Sequence, residues 1–583
     1  MPSVWAPFAK QLELDAAGRR VAMSRDADGW WTCDDELPAG TDYWFVVDGD
    51  RLPDPRSPWQ PSGVHGPSRT FDHREFPWTD AAFQARPLAS AVIYELHIGT
   101  FTPAGTFDSA IEKLDHLVDL GVTHVELMPV AEFLGDHGWG YDGVNPFAPH
   151  HAYGGPTGLK RLVDACHARG LGVLLDVVYN HLGPVGNYLP RFGPYFQSKW
   201  KTPWGDALNF DGPDSDEVRR YFCDNALMWL RDYHFDGLRL DAVHAIVDRA
   251  ATPFLEQLAT EVDALKAHLG RHLVLTAESD ANDPRVVRPW ELGGFGLDAQ
   301  WSDDVHHAIH GYLAREQIGY YSDFGSLADL AAAMTRPYVY DGRRSQHRRR
   351  MHGRPPVNLG GGRFVVFSQN HDHVGNRADG ERLAHLAGLR RAKIAAGLVL
   401  LSPYVPLLFQ GEEWGALAPF RFFVDFDTEP ELKQAVIQGR RREFAGFGRT
   451  PEEIPDPTSR EAFQVSKLDW RELDAAPHRE MLAWYRTLTS LRRTYSDLTD
   501  GRLDRVAVAY DDKSHWLRIE RGALVIVCNF GDADANIPLS ADGAAYRLAA
   551  SSNPIVAPHG TEAKLSAETL AVFVHSTTPT DRN

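Results

Sequence analysis

The architecture of the chain is set by Phe235-Asp236-Gly237-Leu238-Arg239-Leu240-Asp241-Ala242-Val243-His244-Ala245-Ile246. Its glycine and leucines suit a short strand that is covered on both faces. Arg239 and Asp241 are two residues apart, so their side chains point to the same side of an extended chain. A neighbouring guanidinium keeps an aspartate ionised and orients it. Such a carboxylate at the carboxyl end of a buried strand is what a β/α barrel presents to a substrate. The alternative is a buried ion pair that only ties layers of the barrel together.

Similar strand patterns recur on both sides of this segment and alternate with amphipathic helical patterns, for example over 106–120 and 252–269. Near-continuous apolar runs are typical of parallel strands buried on both faces. Alternation of such strands with helices predicts an α/β fold, a (β/α)8 TIM barrel. The eight predicted strands lie at 92–96, 125–128, 172–178, 237–241, 272–278, 296–301, 363–368 and 405–409.

The barrel pattern is flanked by segments rich in short β-forming runs, such as 43–47 and 570–574. Turn-forming residues separate these runs, which is typical of β-sandwiches. We therefore expect an N-terminal β-sandwich at 1–85, a barrel with loop insertions at 86–497 and a C-terminal antiparallel β-sandwich at 498–583.

Composition narrows the possible partners. The 583-residue chain carries a formal net charge of −19, which argues against binding to nucleic acid or to an anionic membrane. The basic stretch 343–354 is therefore expected to be a solvated loop that pairs with acidic neighbours. The chain shows no secretory signal, no membrane-spanning run and no cofactor or metal motif, so we expect a cytoplasmic protein without a cofactor. Its four cysteines are widely spaced, which fits free thiols in a reducing compartment.

Three acids follow predicted barrel strands. Asp241 ends the fourth strand, Glu278 ends the fifth, and Asp372 follows the seventh. All three should rise from the same face of the barrel, where barrel active sites lie. The apolar run before Glu278 predicts dry surroundings that raise its carboxyl pKa, whereas Arg239 keeps Asp241 ionised. Glycosidic bonds are cleaved by enzymes that use two carboxyl groups with different pKa values.

Further polar and aromatic residues belong to the candidate site. His181 and His371 follow predicted strands, at positions where sugar hydroxyls would sit, although a single histidine is often structural. Trp139 and Tyr141 are candidates for a platform on which a sugar ring stacks, with plain loop packing as the alternative. The substrate-contacting candidates are Arg239, His181, His371, His244, Tyr141, Trp139 and Asp142.

Four ordered motifs resemble those of the α-amylase family of glycoside hydrolases, family 13. They are Asp176-Val177-Val178-Tyr179-Asn180-His181, Gly237-Leu238-Arg239-Leu240-Asp241, Ala277-Glu278 and Asn370-His371-Asp372. The resemblance implies Asp241 as nucleophile, Glu278 as acid/base and Asp372 as transition-state stabiliser. It implies contacts to the sugar or an orienting role for Arg239, His181 and His371. It implies α-1,4-glucans as substrates. It also implies that the barrel at 86–497 is catalytic and that the β-sandwich at 1–85 is carbohydrate-binding-module-like.

Additional motifs narrow the resemblance to one subgroup of hydrolases within that family. They are Gly63–Ser68, Tyr94–Thr102, Gly138–Gly143, Gln369–Arg377 and Gly411–Trp414. The chain departs from that pattern at His373, where we expect glutamine, which places a titratable ring beside Asp372. Two other functions remain open, a branching enzyme that transfers glucan chains to sugar hydroxyls and a non-catalytic glucan-binding scaffold.

Overall fold

Eight parallel strands close on themselves to form a barrel in the computed structural model, which describes residues 2–445, 450–540, 545–554, 556–559 and 561–576. The predicted (β/α)8 barrel is thereby confirmed. In chain order, strands 1 to 8 are Ile93–Leu96, His124–Leu127, Gly172–Val177, Gly237–Leu240, Val274–Ala277, Ala299–Trp301, Phe364–Val366 and Val405–Phe409.

Helices surround the barrel. The longer ones are Gly155–His167, Ser215–Asp232, Phe254–Leu269, Asp303–Leu313, Leu327–Thr335, Leu389–Leu400, Pro430–Ala445 and Ala476–Thr494. The shorter ones are Ile98–Phe101, Phe107–Ile111, Leu114–Leu120, Leu189–Phe192, His371–Gly375, Leu383–Ala387 and Arg460–Val465. The helix predicted over 106–120 is thus two helices. Only 3-10 turns, Pro284–Val286 and Trp290–Leu292, connect strands 5 and 6, so the alternation of strands and helices is incomplete there.

Antiparallel sheets flank the barrel on both sides in sequence. The N-terminal sheets contain Ser3–Trp5, Leu12–Ala16, Arg19–Ala22, Ser24–Arg25, Trp30–Thr32, Asp42–Val47, Asp50–Leu52 and Ser68–Arg69. The C-terminal sheets contain Val506–Asp511, Trp516–Arg521, Leu524–Asn529, Ala535–Pro538, Tyr546–Ser551, Val556–His559, Glu562–Leu565 and Thr569–His575. The predicted domain boundaries remain predictions. Residue 1, where the first predicted domain begins, and residue 583, where the last one ends, lie outside the described residues. No helix in the described part of the chain is long and apolar enough to cross a membrane.

The register of strand 4 brings charged residues of different strands together. Arg239 lies opposite Asp176 on strand 3 and opposite Thr276 on strand 5. The strands approach closely at Gly237, where a Cβ atom would stand 2.5 Å from the carbonyl oxygen of Val274. Only glycine fits such a close approach, so Gly237 helps to fix the position of Arg239 inside the barrel.

A carboxyl group without a hydrogen-bond partner is buried in the barrel. Glu126 on strand 2 is 1% exposed, and neither of its carboxyl oxygens has a partner among the described residues. Its register neighbour on strand 1 is Glu95. Burial raises the pKa of Glu126 well above its usual range, and the negative charges of Glu95 and Asp176 act in the same direction. The folded protein therefore holds a proton here that the unfolded chain releases.

We expect Glu126→Gln to raise the melting temperature at neutral pH, and the difference from wild type to widen as pH rises. Above about pH 4, where an unfolded glutamate ionises, the folded state binds one more proton than the unfolded state. Stability of the wild type then falls by up to about 1.4 kcal/mol per pH unit until the folded pKa is reached. Thermal melts at pH 5, 6 and 7, with exposed Glu112→Gln as control, measure this difference. A constant difference across that range would contradict the assignment.

Candidate active site

Arg239 lies at the centre of the site and contacts three carboxyl groups. Its Nη1 donates hydrogen bonds to Asp176 Oδ2 at 2.6 Å and to Asp241 Oδ1 at 2.9 Å. Its Nη2 donates to Glu278 Oε2 at 2.7 Å. Burial lowers the pKa of the fully buried Arg239, but the surrounding acids outweigh this effect and raise it. One guanidinium therefore holds Asp241 and Glu278 side by side. The contact of Arg239 with Glu278 was not part of the sequence-based expectation, which paired Arg239 with Asp241.

The two acids have different hydrogen-bond surroundings. Asp241 accepts a second bond from Asn180 Nδ2, at 2.7 Å to Oδ2. Glu278 accepts one from the backbone N–H of Ala242 at 3.0 Å. Ala242 has a left-handed backbone, with φ of 39°, an uncommon conformation for alanine that recurs at functional sites. Burial raises the pKa of Glu278, with Arg239 opposing and Asp241 reinforcing the shift. The raised pKa therefore favours the protonated form of Glu278 beside Asp241.

Asp372 joins the same group through His371. His371 Nε2 lies 3.5 Å from Asp372 Oδ2, and its Nδ1 donates to Glu95 Oε1 at 2.5 Å. Burial lowers the pKa of His371, but the acidic neighbours Asp372 and Glu95 outweigh it and raise the pKa to about 9. The imidazole is therefore a cation near neutral pH. Burial raises the pKa of Asp372, while the charge of His371 opposes that shift.

The hydroxyl of Tyr141 connects Asp176 with His371. It donates to Asp176 Oδ2 at 2.5 Å and accepts from His371 Nε2 at 2.7 Å. The Tyr141 ring stacks on the His371 ring, with centroids 5.1 Å apart and planes at 18°. Burial raises the pKa of Asp176 to about 7, although Arg239 opposes the shift. Because Asp176 also contacts Arg239, one hydrogen-bonded network connects the surroundings of all three predicted acids.

A cleft of about 520 Å³ opens at the carboxyl ends of the strands and is lined by both Glu278 and Asp372. A further acid, Asp303, lines it directly after strand 6, and burial raises the pKa of Asp303 well above its usual range. Sequence reasoning missed Asp303, although acids at the ends of barrel strands often have a function and Asp303 is such an acid.

The basic stretch 343–354 forms ion pairs with acidic residues, as expected. One of its residues, Arg348, lies 3.0 Å from Asp280 and also lines the cleft.

Two predicted histidines lie at the edge of this network. His181 Nδ1 is 2.5 Å from Asn180 Oδ1, and burial lowers the pKa of His181 to about 4. The ring of His181 stacks on Trp204, with centroids 4.5 Å apart and planes at 9°. Trp204 is 50% exposed at the turn of a hairpin, and sequence reasoning missed it. His244 is exposed. Its electrostatic effect lowers the pKa of Glu278, but this effect is smaller than those of burial, Arg239 and Asp241.

In the loop at 138–143, Trp139 is buried, whereas a face open to a sugar ring was expected. Trp139 is only 4% exposed and stacks on Phe420, with centroids 5.3 Å apart. Its indole N–H donates to the carbonyl of Arg421 at 2.9 Å. This packing corrects the expectation that Trp139 offers a face to a sugar, because Phe420 already occupies it. Asp142 makes no hydrogen bond within the described residues, and burial raises its pKa to about 6.

Among the described residues, one group has the composition of a metal site: Glu132, His150 and His151. Both oxygens of Glu132 already accept hydrogen bonds from His151, at 2.9 Å and 2.7 Å. His150 Nδ1 accepts from the backbone N–H of Ala152 at 3.0 Å, so Nε2 of the neutral ring carries the proton. That nitrogen then has no lone pair for a metal. The geometry favours a hydrogen-bonded cluster, and the predicted absence of a metal site stays a prediction.

His373 is half-buried in the wall of the cleft, with its Nε2 4.0 Å from Asp303 Oδ1. Its Nδ1 lies 2.7 Å from Asn370 Oδ1, and its ring centroid is 3.7 Å from that of His306. Burial and the nearby histidines lower the pKa of His373 well below its usual range. The ring therefore stays neutral where it was expected to titrate beside Asp372.

We expect His373→Gln to leave both limbs of the pH profile of kcat/KM within about 0.3 pH unit of wild type, because the ring is neutral throughout the working range. Glutamine also keeps a donor for Asn370 Oδ1. Initial rates between pH 4 and 9 measure the profile. A shift of a full unit in either limb would show that His373 titrates during catalysis.

An eight-stranded barrel with acids at the ends of strands 4, 5 and 7 defines the chain as an α-amylase-type glycoside hydrolase. A family model described as "Alpha amylase, catalytic domain" matches residues 71–201, and one described as "Domain of unknown function (DUF3459)" matches 501–572. A malto-oligosyltrehalose trehalohydrolase of Mycobacterium tuberculosis is 49% identical over 98% of both chains. One of a Rhizobium species is 50% identical over 94% of this chain and 93% of its own. The chain belongs to the malto-oligosyltrehalose trehalohydrolase family.

A solved structure has the same fold. The crystal structure of a Salmonella typhimurium protein described as an α-amylase is 37% identical, with a TM-score of 0.89, and the match covers 98% of this chain and 97% of that one. The similarity therefore extends over the flanking sheets as well as the barrel.

Proposed function

We propose that this protein is a retaining glycoside hydrolase that cleaves the α-1,4-glucosidic bond next to the terminal trehalose of maltooligosyltrehalose. The products are trehalose and a maltooligosaccharide. The observation that carries the proposal is the bridge from Arg239 to both Asp241 and Glu278, which places two carboxyl groups with different further hydrogen-bond partners side by side. The substrate is inferred from family membership, because the named relatives of this chain are malto-oligosyltrehalose trehalohydrolases.

In the first step, the Asp241 carboxylate attacks the anomeric carbon while Glu278 gives its proton to the glycosidic oxygen. The bond between that carbon and oxygen breaks, trehalose departs, and the sugar is joined to Asp241 as an ester. In the second step, the Glu278 carboxylate takes a proton from water, and the water oxygen attacks the same carbon and releases Asp241. Asn180 and Arg239 hold Asp241 in position, since each donates to a different oxygen of its carboxylate.

Asp372 and Tyr141 are placed to bind the sugar whose bond is cleaved, because the Asp372 carboxylate offers an acceptor to sugar hydroxyls. Both N–H groups of cationic His371 already donate, to Glu95 and to the Tyr141 hydroxyl, so His371 acts by its charge and by orienting Tyr141. The Tyr141 ring, which is partly exposed and rests on His371, offers a stacking face in place of Trp139. Exposed Trp204 is a second candidate platform for α-1,4-glucan substrates.

The cleft beside Glu278 is the candidate site for the departing trehalose. Its volume of about 520 Å³ lies within the range of pockets that hold small ligands. Charged and amide side chains dominate its lining, including Asp280, Arg348 and Asn376. A disaccharide rich in hydroxyls suits such a lining, because every hydroxyl can both donate and accept. The proposed cellular site is the cytoplasm, since all four cysteines are free and buried.

Incubation with maltooligosyltrehalose tests the proposal. The expected products are trehalose and the shortened maltooligosaccharide, and no new α-1,6 bonds are expected when amylose is the substrate. New branches on amylose would instead favour the branching enzyme. Binding of the glucan without release of any sugar would favour the non-catalytic scaffold.

A further inference from the structure

A second cavity lies at the opposite end of the barrel from the acids. It has a volume of about 490 Å³ and is lined by Val92 and Thr123, which immediately precede strands 1 and 2. The last turns of the helix Ala476–Thr494 form another wall, with Arg492 and Arg493. None of the residues that line this cavity carries a carboxylate. This is unusual in a chain with a formal net charge of −19.

The floor of the cavity contains a buried positive charge without a counter-ion. Arg492 is 2% exposed and donates to the backbone carbonyls of Leu400, Ser402 and Tyr404 at 2.6–3.1 Å. Its Nε–H has no partner, and no carboxylate lies within ion-pair distance in the described part of the chain. A buried guanidinium that is bonded only to neutral carbonyls remains poorly compensated.

A second arginine reinforces this charge. Arg521 is also 2% exposed and donates only to the carbonyls of Leu401, Asp497 and Asp500. Burial lowers the pKa of Arg492 to about 9, and the positive charge of Arg521 contributes to that shift. Arg492 and Arg521 are therefore two buried cations without a carboxylate within ion-pair distance among the residues that the structure describes, although the charges of Asp500 and Asp497 oppose the effect of burial on the pKa of Arg521.

The rim of the cavity adds free donors. Arg86 and Arg493 are exposed, and neither forms an ion pair or side-chain hydrogen bond with any described residue. The hydroxyls of Ser490 and Ser496 likewise have no partner among the residues that the structure describes. Basic residues in the last turn of a helix also complement the helix dipole. That explanation does not cover Arg86, which comes from the segment before strand 1.

We propose that this cavity binds a phosphate group, either as inorganic phosphate or as the phosphate monoester of a small polyol. Arg86 and Arg493 would contact the phosphate oxygens from the rim, and guanidinium groups bind phosphate by paired hydrogen bonds. Ser490 and Ser496 would donate from the side, and Arg492 would supply positive charge from below. The cavity is several times larger than a phosphate group, so it also has room for an attached polyol.

Isothermal titration of the full chain with inorganic phosphate and with glucose 6-phosphate, at matched ionic strength in chloride, tests the proposal. We expect saturable binding of at least one of them, and a loss of affinity of at least about tenfold in the double variant Arg86→Ala/Arg493→Ala. Arg479→Ala is the matched control, because Arg479 is exposed on the same helix but does not line the cavity. Sugar release by each variant verifies its fold, since neither rim arginine belongs to the active site.

The two ligands distinguish the source of the phosphate. Binding of both identifies a site for the phosphate group itself, and binding of glucose 6-phosphate alone identifies a site for an ester. Absence of saturable binding by both overturns the proposal. Undiminished binding in the double variant overturns it as well, because the ligand would then be held elsewhere.

Discussion

Asp241→Asn is expected to lower kcat/KM for maltooligosyltrehalose by at least about 10³-fold, since the variant lacks the nucleophile of the first step. The amide has nearly the shape of the carboxylate and can still accept from Arg239 Nη1 through its oxygen. The fold should therefore persist, and the loss should appear in kcat. Initial rates of trehalose release, together with a thermal melt, measure both quantities.

Asp263→Asn is a suitable control for this change. Its carboxylate is largely exposed on the helix Phe254–Leu269, and the one ion pair that it forms within the described ranges, with Lys266, is long at 3.9 Å. The control should retain wild-type activity. Turnover of Asp241→Asn within tenfold of the control, with freshly prepared protein, would show that Asp241 is not the nucleophile.

Glu278→Gln is expected to lower kcat for maltooligosyltrehalose by about 10²- to 10⁴-fold, the usual contribution of a general acid. The glutamine can accept from Arg239 Nη2 and from the Ala242 N–H, so the site should keep its geometry. Substrates whose leaving group needs no proton, such as an α-maltosyl fluoride, should react in the first step at close to the wild-type rate. Added azide should then speed turnover, because it attacks the glycosyl-enzyme without a general base.

The same substitution should also change the pH profile. Wild-type Glu278 must be protonated in the free enzyme, so kcat/KM falls as pH rises through its raised pKa. Glutamine has no proton to lose, and the alkaline limb should be absent from Glu278→Gln. An alkaline limb that is unchanged in this variant would assign the general acid to another group, with Asp303 as one alternative that lines the same cleft.

The positions of the acids could be predicted because they depend on local sequence. Asp241, Glu278 and Asp372 each follow a strand that is recognisable from its apolar run, and parallel barrel strands end on one face. The contact between Arg239 and Asp241 follows from their spacing of two residues in an extended chain. These inferences need neither the register of the strands nor the path of the loops.

The remaining contacts depend on information that is distant in sequence. The bond between Arg239 and Glu278 requires the pairing of strands 4 and 5, and the bond between His371 and Glu95 spans 276 residues. Trp139 is buried because Phe420, which follows strand 8, packs on its face. Tertiary packing therefore decided which aromatic residue remained available for stacking.

The central claim is that Asp241 becomes bonded to the sugar while Glu278 serves as acid and base. The most direct measurement is mass spectrometry of Glu278→Gln after incubation with α-maltosyl fluoride. Fluoride leaves without a proton, and the missing base slows the second step, so one maltosyl group should accumulate on the peptide that contains Asp241. A maltosyl group on a different residue, or rapid fluoride release with no adduct on the protein, would contradict the account.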